Sequence, residues 1–233
     1  MAGMTMLASL ALATLAFVGT HLAMSHPLRL RLVGNLGEQW FLALYSAVAL
    51  VTLGWMILAW GAVSNSVALW VAPDWAWPLG SGVMLLACIL LVGSFFRNPA
   101  FPHPGSKPQA VRPATGIFAV TRHPMNMAFI LWALVHIGLW GSPRNLIVAG
   151  GILVLAVLGS IGQDGKKLDV VGEPWRQWMA RTSFVPFQAL LAGRAKWRGL
   201  IEAWPAVLGG LLLWLAITWF HAPEASPVAM LTS

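Results

Sequence analysis

The chain has 233 residues, of which 58% are hydrophobic and only 9% are charged. A soluble domain carries roughly 25% charged residues, so the composition excludes an ordinary soluble domain, and the high hydrophobicity excludes a disordered chain. The single cysteine, Cys88, excludes an internal disulfide and a CxxC motif. The net charge of +7 is the kind that basic cytoplasmic loops give a membrane protein, and we expect no nucleic-acid partner.

Six continuous apolar runs follow one another along the chain. They cover residues 2–24, 40–61, 77–96, 125–140, 145–163 and 203–220. The runs do not alternate with a period of two, and lipid admits only helices or closed barrels, so each run predicts a helix. We therefore predict an all-α polytopic bundle of about six spans, with residues 1–233 as a single integral membrane domain. The fourth run is short for a span.

The basic residues are concentrated in alternate connections between these runs. Of the 14 Lys and Arg residues, all but Arg144 lie between the first and second, third and fourth, or fifth and sixth runs. Basic residues gather in cytoplasmic loops. The pattern therefore predicts a multi-pass protein of the bacterial inner membrane with both termini in the periplasm.

Two of the predicted cytoplasmic segments have a distinctive composition. Residues 97–122 contain repeated prolines, which predict an extended loop that either links two spans or folds over a site. In segment 166–200, Trp175 and Trp178 share one face of a predicted helix, which is typical of a helix in the membrane interface. We expect these tryptophans, with those near the other membrane boundary, to act as headgroup-level anchors.

Histidine supplies the main chemical candidates within the spans, because metalloprotease, phosphate-loop and dinucleotide-binding motifs are absent. His21 lies in the first run and His136 in the fourth. An intramembrane imidazole is costly unless it is paired or faces the bundle interior. Two such imidazoles from different helices could ligate one haem iron, or each could simply hydrogen-bond a neighbouring helix. We expect the remaining histidines outside the sequence Arg-His-Pro to be solvated: His26, His103 and His221.

A second group of candidates lies at the predicted cytoplasmic side. His123 precedes Pro124, which suits the first turn of a helix. Together with Arg122 and free backbone N–H groups, it could bind a carboxylate or phosphate, or it could only cap the helix. Glu38 precedes the second span on the same side and could pair with Arg122 or with Arg29. We predict His123, Arg122 and Glu38 as catalytic candidates.

Several segments resemble the NnrU family. They are Gly19-Thr20-His21-Leu22, Leu36-Gly37-Glu38-Gln39-Trp40, the run TRHPMNMAFILWALVHIGLWG from Thr121 to Gly141, and TSFVPF from Thr182 to Phe187. The resemblance covers residues 10 to 195 and implies a multi-span membrane protein. The family includes a bacterial branch associated with denitrification and plant-type 15-cis-zeta-carotene isomerases. It therefore implies either a role in nitrogen-oxide metabolism, with a nitrogen-oxide ligand, or cis–trans isomerisation of a hydrophobic polyene.

For the isomerase branch the resemblance also implies haem b. Carried over by position, the axial ligands are His21 and His136. Isomerase-branch proteins have a cysteine one turn before the later histidine, whereas this chain has Ala133, so a cysteine-for-histidine ligand exchange is not expected here. His136 lies some 13 residues into its helix, about 20 Å from the inner end at 1.5 Å per residue, whereas His21 is expected near that end. His123 is therefore kept as the alternate ligand.

A second resemblance is to the isoprenylcysteine carboxyl methyltransferase group. It rests on the Arg-His-Pro helix start, Val171-Gly172-Glu173-Pro174-Trp175 and Phe184-Val185-Pro186-Phe187. It implies a distantly similar fold and, as an alternative function, S-adenosylmethionine-dependent methyl transfer. The later acidic cluster of that group is replaced here by residues 163–167. A non-catalytic membrane assembly protein is the third alternative, and Ala206 and Gly210 on the last span permit close helix contact without establishing an oligomer.

Overall fold

The computed structural model describes residues 2–63, 67–96, 98–99 and 113–221, with side chains described from Thr5 onwards. Arg97, His103 and most of the predicted proline-rich loop lie outside the described residues.

The described residues form nine α-helices, two short 3-10 helices and a two-stranded antiparallel ladder. The helices are α1 (Ala2–Ser25), α2 (Arg29–Leu36), α3 (Glu38–Ala62), α4 (Ala76–Gly93), α5 (Pro124–Leu139), α6 (Pro143–Val171), α7 (Glu173–Arg181), α8 (Gln188–Leu191) and α9 (Trp204–His221). The 3-10 helices are Gly116–Ala119 and Trp197–Ala203. Strands β1 (Trp70–Val71) and β2 (Trp140–Gly141) pair in the register Trp70 with Gly141 and Val71 with Trp140.

Six of these helices coincide with the six apolar runs, which confirms the predicted all-α bundle. Within the described residues, five helical stretches are long and apolar enough to cross a membrane: Thr5–Ser25, Glu38–Ala62, Ala76–Gly93, Pro143–Val171 and Trp197–His221. The sixth, α5, has 16 residues, which corresponds to about 24 Å against a hydrocarbon core of about 30 Å. The fourth run is therefore a short helix, as predicted.

The long helices pack in the order α3, α1, α6, α5, α4, α9, with α6 in contact with both α1 and α5. Small residues lie at these contacts: a side-chain carbon added at Gly151 would overlap Thr14 of α1, and one at Gly210 would overlap the Ile89 backbone of α4. Close approach of this kind is how helices associate in lipid. The small residue Gly210 thus serves a contact within the chain.

The two ends of the bundle differ in the helix termini that meet there. At one end α1, α4 and α6 finish and α3, α5 and α9 begin, and this end carries Arg29, Arg122, Lys166 and Lys167. We call it the basic end, and the opposite one the outer end.

The segment after α6 folds differently from the interfacial prediction. α6 continues to Val171, and Gly172, with φ of 71°, reverses the chain so that α7 returns to the bundle. Trp175 and Trp178 are 1% and 2% exposed and belong to the main hydrophobic core. The prediction that these two tryptophans anchor the chain at headgroup level is therefore wrong. The reason is that α7 packs on α6 and Trp178 lies against Phe118, and burial of the indole rings there removes more apolar surface from water than an interfacial position would.

Candidate functional site

A buried ion pair joins α6 to the residues just before α5. Arg122 Nε donates to Asp164 Oδ2 at 2.7 Å, and Arg122 Nη2 lies 2.7 Å from the same oxygen. The side chains of Arg122 and Asp164 are only 13% and 11% exposed. A buried ion pair is strongly destabilised when one partner is lost, because the other charge then has no partner. This pair therefore fixes the start of α5 against α6.

His123 completes the same cluster. Its side chain is fully buried, and Nε2 lies 3.1 Å from Asp164 Oδ1 in an orientation that does not make an aligned hydrogen bond. Nδ1 lies 3.0 Å from Gln163 Oε1. The indole Nε1 of Trp175 donates to Asp164 Oδ1 at 3.3 Å. We call Arg122, His123, Gln163, Asp164 and Trp175 the polar centre.

Backbone contacts hold the polar centre in place. His123 is the residue before the first turn of α5, where Pro124 begins the helix without needing a donor. Arg122 N donates to Ser183 O at 2.9 Å, and Thr121 Oγ1 donates to Phe184 O at 2.8 Å. The Arg-His-Pro and TSFVPF segments, which are 60 residues apart in the sequence, are thus neighbours in the fold.

A small polar pocket lies beside the polar centre. It is lined by Asn98, Gln163 and residues 122–126, and it contains about 270 Å³ of empty space including its open mouth. Asn126 is held there by donating through Nδ2 to Ser160 Oγ at 2.9 Å. The pocket presents guanidinium and amide N–H groups next to a charge-neutralised carboxylate, so it can bind a small polar group without attracting a net charge.

Glu38 does not belong to the polar centre. Its carboxylate lies 3.4 Å from Arg29 Nη2, so of the two partners expected from the sequence the structure selects Arg29. Arg29 also lies over the Phe41 ring at 4.9 Å. Glu38 therefore ties the start of α3 to α2, and its catalytic role stays a prediction that no contact with His123 or Arg122 supports.

The two intramembrane histidines each bond to their own helix. His21 Nδ1 lies 2.8 Å from Phe17 O, and its ring contacts Phe17 and Tyr45. His136 Nδ1 lies 2.8 Å from Trp132 O, and its ring lies 4.5 Å from that of Trp132. A carbonyl only accepts, so in each ring Nδ1 carries the proton and Nε2 keeps its lone pair.

The structure does not bring His21 and His136 together. His21 follows Val18, which lies against Gly151 of α6, whereas the carbonyl of His136 accepts from Asn145 at the outer end of α6. The two contact points on α6, Gly151 and Asn145, are six residues apart, or roughly 9 Å along the helix axis. The rings also have different neighbours, since that of His136 lies 6.1 Å from that of His221 of α9. The structure thus gives the two rings different neighbours, and joint ligation of one haem iron by His21 and His136 stays a prediction.

His26 is also placed differently from the sequence expectation. Its ring is half-buried and occupies the space above Gly162 of α6, where a side-chain carbon would overlap it. Burial and the neighbouring Lys166 charge lower the pKa of His26. The prediction that His26 is solvated is therefore wrong, while His221 is exposed as expected.

Sequence reasoning missed Asp164, which is the acceptor for most of the polar centre. The available signal was an acidic residue directly after the fifth apolar run, where a carboxylate in a helix that enters lipid requires a partner. The missing information was the register of α5 against α6, which places Arg122 and His123 opposite Asp164.

The fold and the polar centre define a polytopic α-helical membrane protein with a buried ionic site at one end of the bundle. The family model for the NnrU protein matches residues 9–226, and the chain belongs to the NnrU family.

Among curated proteins, the chain is 33% identical over 91 residues to the chloroplastic 15-cis-zeta-carotene isomerase of Zea mays, covering 39% of this chain and 25% of that protein. It is 33% identical over 81 residues to the same enzyme of Arabidopsis thaliana, covering 34% of this chain and 22% of that protein. The matches thus span about a quarter of the length of these relatives. No solved structure gives a significant match.

Proposed function

We propose that the protein is a membrane-embedded cis–trans isomerase of an apolar polyene of the zeta-carotene class. The observation that carries this proposal is the 33% identity to two plant proteins named 15-cis-zeta-carotene isomerase. The proposal also agrees with the apolar bundle, because a carotene has no polar group and dissolves in lipid. The isomerase activity is that of the two relatives, and for this chain it is our proposal.

In this proposal the polar centre is the working site. Covering an unpaired charge with an uncharged polyene is unfavourable, because the charge would lose its hydration. Arg122 and Asp164 compensate each other, so a polyene can approach this end of the bundle without covering an unpaired charge. His123 is held beside this pocket with Nε2 3.1 Å from Asp164 Oδ1, and any proton that it gives to the polyene must return to it, because isomerisation leaves the composition of the substrate unchanged.

Haem b is a separate prediction. If bound, haem would supply redox chemistry that no side chain of this protein can supply. Joint ligation of one iron by His21 and His136 stays a prediction, and each ring meets one requirement of a ligand, because Nδ1 donates to a backbone carbonyl and Nε2 remains available. No step of the proposal passes through haem.

The direct test is conversion of 15-cis-zeta-carotene by membranes that contain the protein. The isomers are separated by chromatography before and after incubation, and an absorption spectrum of the purified protein is recorded for a Soret band. We expect the wild type and an Arg176→Gln control to produce the trans isomer, because Arg176 is exposed and lies outside the polar centre. The isomerase proposal is overturned if folded wild-type protein carries out no conversion, both in preparations that show a Soret band and in preparations that do not.

The remaining functional alternatives stay predictions with their own observations. Specific binding of S-adenosylmethionine would favour methyl transfer, and spectral changes with nitric oxide would favour a nitrogen-oxide role. Histidine substitutions that change the stability of the protein but no activity, ligand binding or spectrum would favour a non-catalytic assembly protein.

The membrane orientation is likewise a proposal. We place the basic end in the cytoplasm and both termini in the periplasm of a bacterial inner membrane, on the strength of the Lys and Arg distribution. Reporter fusions at residue 172 and at the C-terminus are expected to give opposite sides of the membrane. Equal signals from both positions would contradict this orientation.

A further inference from the structure

A group of cations next to the polar centre lies where the α1–α2 connection meets the end of α6, and Lys167 Nζ in this group lies over the Trp175 ring at 5.9 Å. The His26 ring rests on Gly162, and Lys166 lies one turn further along the same face of α6. Arg29 begins α2, three residues after His26. Arg29, Lys166 and Lys167 are close enough to act on one another electrostatically.

These cations are not neutralised within the described part of the chain. The charges that act on Lys166 there are those of Arg29 and Lys167, and both repel it. Lys167 donates to the Pro99 carbonyl at 2.9 Å, which satisfies one of its N–H groups but not its charge. Glu38 is shared only with Arg29, at 3.4 Å. Three cations thus face one carboxylate.

Burial makes this surplus costly. Arg29, Lys166 and Lys167 are all half-buried, so part of their hydration is lost on folding. A structural ion network would place carboxylates between the cations, as Asp164 is placed beside Arg122. An anion from outside the chain, held by two or three charge-assisted hydrogen bonds, offsets the repulsion.

The surroundings indicate that this anion comes from a lipid. None of the residues of α2 is buried, and Leu30 of α2 is 84% exposed beside Arg29. Trp40, near the start of α3, is 74% exposed, which is typical of an indole at headgroup level. Exposed apolar side chains next to half-buried cations match the two parts of an anionic phospholipid.

We propose that Arg29, Lys166 and Lys167, with His26 at their edge, form a binding site for the phosphate group of an anionic phospholipid at the basic end of the bundle. The cations hold the phosphate oxygens, and Leu30 and Trp40 lie against the acyl and glycerol region. Basic pockets between membrane helices bind lipid headgroups by this combination. The inference does not depend on the isomerase proposal, and it holds or fails whether or not the protein converts a polyene.

The test compares thermal unfolding of the protein in neutral phosphatidylcholine nanodiscs with and without phosphatidylglycerol. Tryptophan fluorescence reports unfolding. We expect phosphatidylglycerol to raise the melting temperature of the wild type, and each of Arg29→Gln, Lys166→Gln and Lys167→Gln to need about fivefold more phosphatidylglycerol for the same rise, as expected for one cation near an anionic surface. Arg176→Gln removes an exposed cation at the same end and serves as the matched control with an unchanged response.

The neutral nanodisc is the second arm. There Lys166→Gln is expected to melt at the same temperature as the wild type or higher, because the substitution relieves repulsion, whereas a purely structural lysine would melt lower when replaced. If Lys166→Gln does not accumulate, Arg29→Gln tests the lipid response alone. Inorganic phosphate forms a third arm: a stabilisation by phosphate that the variants lose supports the site with a free anion as its source.

Two results overturn the proposal. One is a phosphatidylglycerol response that is the same in the wild type, the three variants and the control. The other is a wild type that responds neither to phosphatidylglycerol nor to inorganic phosphate.

Discussion

The two ends of the bundle use different interactions to hold α5 and α6 together. At the outer end, where α5 stops and α6 begins, the Asn145 side chain donates to the carbonyls of His136 (2.7 Å) and Trp140. At the basic end, where α6 and the start of α5 meet again, the link is the buried pair of Arg122 and Asp164. A neutral amide is sufficient to satisfy the groups that a helix end leaves free. The outer end also carries Arg144, which donates to Val63 O at 3.1 Å, but the buried Arg122–Asp164 pair at the basic end exceeds what closing the bundle requires.

The largest effect is expected from breaking the charged end. Asp164→Asn leaves Arg122 buried without its partner and should lower the free energy of unfolding by about 3 kcal/mol. Chemical denaturation in detergent micelles measures this value.

A double-mutant cycle with Arg122→Gln should show a coupling above about 1 kcal/mol. The matched control is the exposed pair of Glu173 and Arg176, with side chains 66% and 72% exposed, for which the coupling should stay below about 0.5 kcal/mol. Equal couplings in the two pairs would mean that the polar centre is no more cooperative than a surface contact.

A smaller loss is expected from removing neutral side-chain donors, one at each end of the bundle. Asn145→Ala leaves two carbonyls without their donor and should cost about 2 kcal/mol. Asn126→Ala removes one hydrogen bond, to Ser160, and should cost about half as much in the same denaturation experiment. If Asn145→Ala costs more than Asp164→Asn, the contrast between the two ends is reversed.

The pH dependence of His26 gives a weaker effect. Because burial and Lys166 lower its pKa in the folded chain from the ordinary 6.5, the unfolded chain binds more protons than the folded chain in the range just below pH 6.5. Stability should therefore fall as the pH drops through this range and be unaffected by this group at higher pH. His26→Asn should flatten that part of a melting-temperature profile. A profile that keeps the same slope without the imidazole would show that other groups cause it.

The smallest effect is expected between the two intramembrane histidines. His21 and His136 share no contact, so a double-mutant cycle on them should give a coupling below about 0.5 kcal/mol. An absorption spectrum of each single variant completes the test. A Soret band in the wild type that either single substitution abolishes would show that a cofactor joins residues that the structure keeps apart.

The sequence was sufficient for the helices and insufficient for their register. Continuous apolar runs without a period of two predicted all six helices of the bundle, because lipid otherwise admits only closed barrels, and the start of α5 at Pro124 followed from the chemistry of proline. Pairing across the bundle depends on which faces of α5 and α6 meet, and periodicity does not determine this in helices that are apolar all round. The sequence pattern does not predict the pairing of Asp164 for that reason. His21 lies on α1 and His136 on α5, and both of these helices pack on α6.

The burial of Trp175 and Trp178 could also not be predicted from the sequence pattern. A helix with indoles on one side is equally suited to lipid headgroups and to a protein core. The choice follows from Gly172, whose positive φ turns α7 back onto the bundle, and from Asp164, which accepts the Trp175 N–H. Local composition records neither contact.

Conversion of 15-cis-zeta-carotene by a folded His123→Gln variant tests the central claim most directly, because glutamine keeps a polar side chain beside Gln163 but removes the imidazole of the polar centre. The account predicts that this variant, in membranes with wild-type amounts of protein, loses the conversion that the wild type and Arg176→Gln carry out. Conversion at the wild-type rate by His123→Gln would contradict the assignment of the basic end as the working site.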